Sequence, residues 1–352
     1  MNSLHYVILF SVSKMQGERT MNGIIHILRG KRSAQTIQDI SLYSCEQWAA
    51  LLKNIPILEV NRVIHTLFKV RTLEENRSGG VELTDEGKRK LDYLSKKYQI
   101  PNSYEGLKYD WTNVTPFFWE QLALLIQTIS YLNERESTFI PVSYSKDVQR
   151  AVRDILSANK NYQNLGSQLY AELEKILNDR SDQEAAVFVN KLTSFQRVGR
   201  TFEQLSSTFH DDPLYTSIVF RSIIHQMISH SQCHPVDFPV LASLLTKSEE
   251  DTMITKTAAV TKTFIEKGFS LNEIAERRNL KASTIEDHMV ELAIHDPYFS
   301  IDSFLSSQEF TEIREWADKL NTRKMKLIKD KVGDKYSYFQ IRLAISSRKG
   351  VH

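Results

Sequence analysis

The chain has 352 residues, with 45 Lys and Arg against 43 Asp and Glu, 12 glycines, 8 prolines and 2 cysteines. At about 150 residues per domain that length implies two or three domains, and glycine and proline at roughly half their usual abundance leave few turns and point to a mainly α chain. The near-neutral balance excludes a uniformly basic nucleic-acid coat and an acidic disordered tail, and two cysteines as far apart as Cys45 and Cys233 exclude a disulfide framework or a four-cysteine zinc site.

Charge is unevenly spread. Residues 1–100 hold 15 basic and 10 acidic side chains, 101–250 hold 13 and 18, and 251–352 hold 17 and 15. Within the last third, 321–352 gather nine cations (Arg323, Lys324, Lys326, Lys329, Lys331, Lys335, Arg342, Arg348 and Lys349) against Asp330 and Asp334. Basic ends around an acidic middle suit a polyanion held at the ends, although a solvated lysine-rich helix would give the tail the same composition. Breakers at Pro101 and Gly106 and the polar stretch 246–252 place the expected domains at 1–100, 101–250 and 251–352.

In chain order, the apolar run Tyr6–Phe10 lacks a basic stretch before it and a small-residue cleavage site after it, and is too short to span a bilayer. No membrane association is expected, and a cytoplasmic, nucleoid-associated location is. Ile24, Ile25, Ile27 and Leu28 predict a helix ending at a left-handed Gly30. A second helix is expected after Ser44. A third follows Pro56, where Ile57, Leu58, Val60, Val63, Ile64, Leu67 and Phe68 recur at three and four and leave Glu59, Arg62, His65, Thr66 and Lys69 on the outer face. Residues 71–75 and 81–83 around the turn 76–80 predict a hairpin, and Thr84 is placed to cap a helix through Leu91. That order is the order of a winged helix-turn-helix, and Leu83-Thr84-x-x-Gly87-x-x-x-Leu91 resembles the wing-to-helix junction of such domains. The exposed helix could then enter a groove while the wing meets phosphates, with Arg29, Lys31, Arg32, Arg62, Lys69 and Arg77 as candidate DNA contacts. A protein-docking use of the same fold is the alternative.

The middle third predicts helices at 117–132, 146–158, 165–177, 185–192 and 214–229. Residues 192–205 contain Gly199-x-Thr201-x-x-Gln204-Leu205, a form that opens many helix-turn-helix motifs, but His210-Asp-Asp-Pro213 does not lead into a reader helix, so a helical scaffold is expected. His225, His230, Cys233 and His234 are zinc-type donors, yet five residues separate the first two, about 140° around a helix. No metal site is expected.

Residues 258–294 carry the sharpest motif. Ser270…Glu273 and Ser283…Glu286 both read as capping boxes. Between them Ile274 and Ala275 face inward, Asn279 tolerates a left-handed turn and Leu280 plugs the corner, while Ile285 and His288 complete the inner side of the second helix. The pattern Gly-x-Ser-Leu-x-Glu-Ile-Ala-x-x-Arg-x-Leu-x-x-Ser-Thr-Ile-x-x-His, with Tyr336-Ser-Tyr-Phe-Gln-Ile-Arg-Leu-Ala344 further on, resembles the helicase-associated helix-turn-helix at the C-terminus of some RecQ-type helicases. The whole arrangement is similar to the free-standing YpbB family of Firmicutes, in which that module ends a separate helicase-accessory protein. The second helix, however, shows Glu286, Asp287 and Glu291, and 251–320 hold 8 basic against 13 acidic residues. Phosphate could approach only its first turn, where Arg277, Arg278, Lys281, Ser283 and Thr284 gather near free backbone N–H groups; His288 completes the candidate set.

No Gly-x-x-x-x-Gly-Lys-Ser/Thr loop, Gly-x-Gly-x-x-Gly fingerprint, Gly-x-Ser-x-Gly or His-Glu-x-x-His occurs. No catalytic residues, cofactor or small-molecule substrate are therefore expected. The resemblance implies a non-enzymatic accessory protein that guides a separate RecQ-type helicase in DNA repair or recombination through structure-specific or nonspecific DNA contacts. A helix-turn-helix transcriptional regulator and a protein–protein adaptor without DNA contact are the alternatives.

Overall fold

The computed structural model describes residues 1–159, 161–245 and 253–347. In chain order the first helices are α1 (Ser3–Met15), α2 (Met21–Leu28), α3 (Ala34–Leu42) and α4 (Ile57–Lys69). Strands β1 (Leu73–Glu75) and β2 (Val81–Leu83) pair antiparallel, with Glu74 opposite Glu82, and α5 (Asp85–Lys97) follows. A π-helical turn at Leu107–Trp111 leads to α6 (Val114–Asn133), α7 (Lys146–Ala158), α8 (Tyr162–Leu177), α9 (Asp182–Lys191), α10 (Phe202–Leu205), α11 (Pro213–Cys233) and α12 (Pro239–Ser243). The last segment holds α13 (Lys256–Glu266), α14 (Leu271–Arg278), α15 (Ala282–His295), α16 (Ser307–Lys319), α17 (Met325–Val332) and α18 (Tyr338–Ser346). The fold is mainly α, as composition implied.

Two expected helix starts are displaced. No helix follows Ser44. Residues 46–54 are turns, and Ser44 and Ala50 have φ of 50° and 63°, which a right-handed helix cannot use. The backbone N–H groups of Ala50 and Leu52 instead bond the carbonyls of Ile27 and Leu28 (3.0 and 2.8 Å), satisfying the end of α2. The helix of this region is α3, opened by Ser33, whose Oγ accepts from Thr36 N. Likewise Ser283 caps nothing: α15 starts after Lys281, so Ser283 already sits in its first turn.

Compactness divides the chain differently from three successive segments. Among the described residues, 7–90 pack with 253–347, while 1–6 join those of 91–245. In the first of these units α3 packs on both α15 and α18, so the basic segments near both ends share one body, with 28 Lys and Arg against 23 Asp and Glu among its described residues. Thr84 Oγ1 accepts from Gly87 N at 3.1 Å and caps α5 as expected. A Cβ at Gly87 would stand 2.1 Å from the Thr72 carbonyl oxygen, which explains the glycine at the wing-to-helix junction. Gly87→Ala is expected to cost about 2 kcal/mol by overpacking, read as a lower midpoint in urea unfolding.

The other unit is built on α6, α8 and α11, whose Phe118, Leu122, Leu125, Leu169, Ile223, Ile224 and Met227 form its core. Thr201 and Gln204 make a reciprocal cap, but it opens only the four-residue α10. Buried beside α11, Asp110 accepts from Tyr104 Oη (2.7 Å) and Arg221 Nη1 (3.0 Å). His225 Nδ1 accepts the Glu105 N–H (2.9 Å), leaving Nε2 to face Thr115 and Asp110 (2.9 and 3.2 Å). Both ring nitrogens are thereby used in holding the segment 105–115, with its π-helical turn, on α11. Among the described residues no group of three or more His, Cys, Asp or Glu could hold a metal ion.

The two cysteines differ sharply. Cys45 is buried, and desolvation, followed by the charge of Glu46, pushes its thiol up to about 12, whereas Cys233 is exposed. Native protein is expected to titrate one thiol with a disulfide reagent and two once denatured.

Candidate nucleic-acid interface

The helix-turn-helix of α14 and α15 is assembled as its residues imply. Ser270 and Glu273 cap α14 reciprocally, Asn279 turns the chain at φ 50° and ψ 47°, and Ile274, Ala275 and Ile285 are buried. The second helix is not free to lie in a groove. Ile285 and every residue from His288 to Ile294 are buried, because α13 and α14 pack on α15 and so do α3 and α18. Arg342 of α18 links them, with Nη2 2.6 Å from Asp287 and Nε donating to Gln38 on α3 (3.2 Å). Gln38 in turn donates to Ser346 at 2.8 Å. Glu291 accepts from the backbone N–H and hydroxyl of Thr255. Two of the three acidic side chains that made this helix an implausible reader, Asp287 and Glu291, thus fasten it into the unit.

The residues expected to cluster at the motif's turn separate. Arg277 is exposed and lies over the Phe269 ring (4.2 Å). Arg278 points inward, donating to the Thr257 carbonyl (2.9 Å) and to Thr261 Oγ1. Thr261 Oγ1 also stands 2.7 Å from His288 Nδ1. His288 is therefore a packing residue, and burial, reinforced by the Arg278 charge, lowers its pKa. Lys281 and Ser283 are exposed and Thr284, Glu286 and Asp287 are half-buried, so solvent reaches only the N-terminal part of α15 before the buried run that begins at His288.

The first hundred residues present a more open face. On α4 only Val60, Ile64 and Leu67 are buried, and Arg62, His65, Thr66 and Lys69 are all exposed, as the spacing implied. Next to it the wing turn is organised by Asn76, whose Oδ1 accepts from Ser78 N, Ser78 Oγ and Gly80 N at 2.8–3.0 Å. Asn76 Nδ2 donates to the Gly17 carbonyl. Arg77 stands exposed at the tip. Lys31 and Arg32 are exposed after α2; burial raises the pKa of Glu291, opposed in part by its bonds from Thr255 and by the charge of Arg32. Arg29 is turned inward, with Nη1 bonding the Ile55 carbonyl at 2.6 Å.

The contribution not visible in the sequence comes from the loop before α17. Glu18, which accepts from Tyr43 Oη (2.7 Å), also accepts from Thr322 Oγ1 and from Arg323 N (3.0 Å). Lys324 Nζ thereby reaches Ser78 Oγ on the wing at 3.1 Å. Arg77 and Lys324 share one edge. Of the other tail cations, Lys329 bonds the Gly333 and Tyr336 carbonyls, Lys335 pairs with Glu312 and Arg342 with Asp287, while Lys326 and Lys331 are exposed. Arg348, Lys349 and the stretch 246–252 lie outside the described residues.

Residues 257–345 match a family model described as a helix-turn-helix domain, which with the geometry of α14 and α15 places the chain in the class of helix-turn-helix proteins, a motif of DNA-binding proteins. Protein YpbB of Bacillus subtilis (strain 168) is 30% identical over 350 residues, covering 99% of this chain and 98% of that protein. The chain belongs to the YpbB family. No solved structure matches it, and no helix among the described residues is long and apolar enough to cross a membrane.

Proposed function

We propose that the protein is a DNA-binding accessory factor without chemistry of its own, which holds duplex DNA by its phosphates and assists a separate RecQ-type helicase that supplies ATP hydrolysis. The contact surface comprises the outer face of α4, the wing and the Lys324 loop. What carries this reading is the meeting of Lys324 with the wing at 3.1 Å, which adds a cation from the far end of the chain to Arg77 and to the exposed Arg62 and Lys69. Phosphate contacts of this kind position a protein without reading sequence. Enclosure of α15 supports nonspecific or structure-specific binding over the base readout a transcriptional regulator requires. The helicase partner is supported by the resemblance of the C-terminal module to the one carried by some RecQ-type helicases.

Two measurements test the halves of this reading separately. Duplex affinity titrated against salt should give a negative log–log slope of about 0.9 per phosphate contact; a flat response would remove the DNA half. Adding the protein to the RecQ-type helicase of its own cell should raise unwinding at limiting helicase, and an unchanged rate with no co-purification would remove the other.

A further inference from the structure

The duplex reading leaves residues 192–205 of the acidic unit unexplained. Between Glu184 and Glu203 there is no acidic residue, while Lys191, Arg197 and Arg200 are basic, in a unit with 15 Lys and Arg against 20 Asp and Glu. The backbone makes a tight turn closed by paired hydrogen bonds between Ser194 and Arg197 (2.7 and 3.3 Å). Further bonds pin it to its surroundings: Phe195 N to Ser130 Oγ (2.9 Å), Gly199 N to Thr193 Oγ1 (3.0 Å), Arg200 N to the Asn190 carbonyl (2.8 Å) and the Arg197 guanidinium to the Val189 carbonyl. A Cβ at Gly199 would stand 2.2 Å from the Lys191 carbonyl oxygen, so this close approach admits only glycine.

What the pinned turn displays is an aromatic ring among cations. Phe195 is 41% exposed and meets Tyr131 edge to face at 5.2 Å, and Tyr131 meets Phe139 at 4.7 Å. Val198, three residues after Phe195, and Ile140, next to Phe139 in sequence, are 80% and 77% exposed, and Arg197 and Arg200 are exposed. A fixed ring flanked by arginines meets both needs of an unpaired strand: bases stack on the ring whatever their identity, and guanidinium groups take the phosphates. Paired bases keep their faces inside the duplex and gain nothing from Phe195. The local positive charge in an acidic body favours a polyanion over a protein surface of mixed charge. We propose that Phe195, with Arg197 and Arg200, is a platform for single-stranded nucleic acid, distinct from the duplex contacts of α4 and the wing and independent of them.

The test is anisotropy of a labelled oligo-dT of about 15 nucleotides with the full chain, beside a labelled duplex. Phe195→Ala and Arg200→Glu should each weaken oligo-dT binding about ten-fold or more, Phe195→Trp should retain it, and duplex affinity should stay within roughly two-fold of the unsubstituted chain. Arg197→Glu breaks the bond to Val189 and can unseat the turn, so it is read only beside a melting curve. The proposal is overturned if the unsubstituted chain does not bind oligo-dT, or if Phe195→Ala and Arg200→Glu both bind it normally. It is equally overturned if those variants bind oligo-dT normally but lose capture of a purified helicase, which would make the turn a protein-docking site.

Discussion

Reversing Arg62, Lys69, Arg77 and Lys324 together to glutamate should lower duplex affinity by at least about 100-fold near 0.1 M salt and flatten the log–log salt slope by about 3.6, or 0.9 for each lost phosphate contact. All four side chains project from elements whose buried residues lie on the opposite side or elsewhere, so melting temperature should barely move. Lys324→Glu alone is the discriminating member, because its place beside Ser78 is a tertiary fact. Arg277→Glu with Lys281→Glu, at the end of α14 and the cap of α15, should have a smaller effect. Arg278→Ala should lower stability in preference to affinity, since it removes bonds to Thr257 and Thr261. If the quadruple variant binds duplex as the unsubstituted chain does, the α4–wing surface is not the site.

Asp110→Asn is expected to destabilise the acidic unit by about 3 kcal/mol, a fall of about 6–12 °C in melting temperature. The figure is the low end for breaking a buried pair because the Arg221 side chain remains 20% exposed. Burial opposes ionisation of Asp110, but the Arg221 guanidinium and the hydrogen bonds from His225 and Tyr104 more than offset it and hold the carboxyl well below the usual range. A carboxyl whose folded pKa is depressed stabilises fully above its unfolded value, about 3.9, and loses that contribution as pH falls through the folded value. The gap between the two proteins should therefore be constant from about pH 5 to 8 and close only in acid. Urea unfolding at several pH values measures it; a gap that opens or closes near neutrality would assign the stabilisation to another group.

Features set by a few consecutive residues were legible in the chain. The bounds of α7 match those expected, and the outer face of α4, the hairpin, the Thr84 cap and the left-handed Asn279 all follow from spacing and side-chain chemistry within one or two turns. The same local reasoning misplaced a helix after Ser44, because the N–H groups there are spent on the carbonyls of α2, and it saw a capping box at Ser283, two residues after the actual cap Lys281. Periodicity and caps report what a segment can do alone. They carry no term for what another segment offers it.

The sequence by itself determined a mainly α chain, a helix-turn-helix near its end and an exposed basic helix beside a wing near its start. Only the tertiary structure decided which helix is free. Packing of α3 and α18 on α15 turns the expected reader into a core helix, and the same packing brings Lys324 to a wing residue 246 positions away in sequence. A charge run states how much positive charge exists, whereas its direction is set by buried contacts between distant segments, such as Glu18 with Thr322 and Arg342 with Gln38 and Asp287.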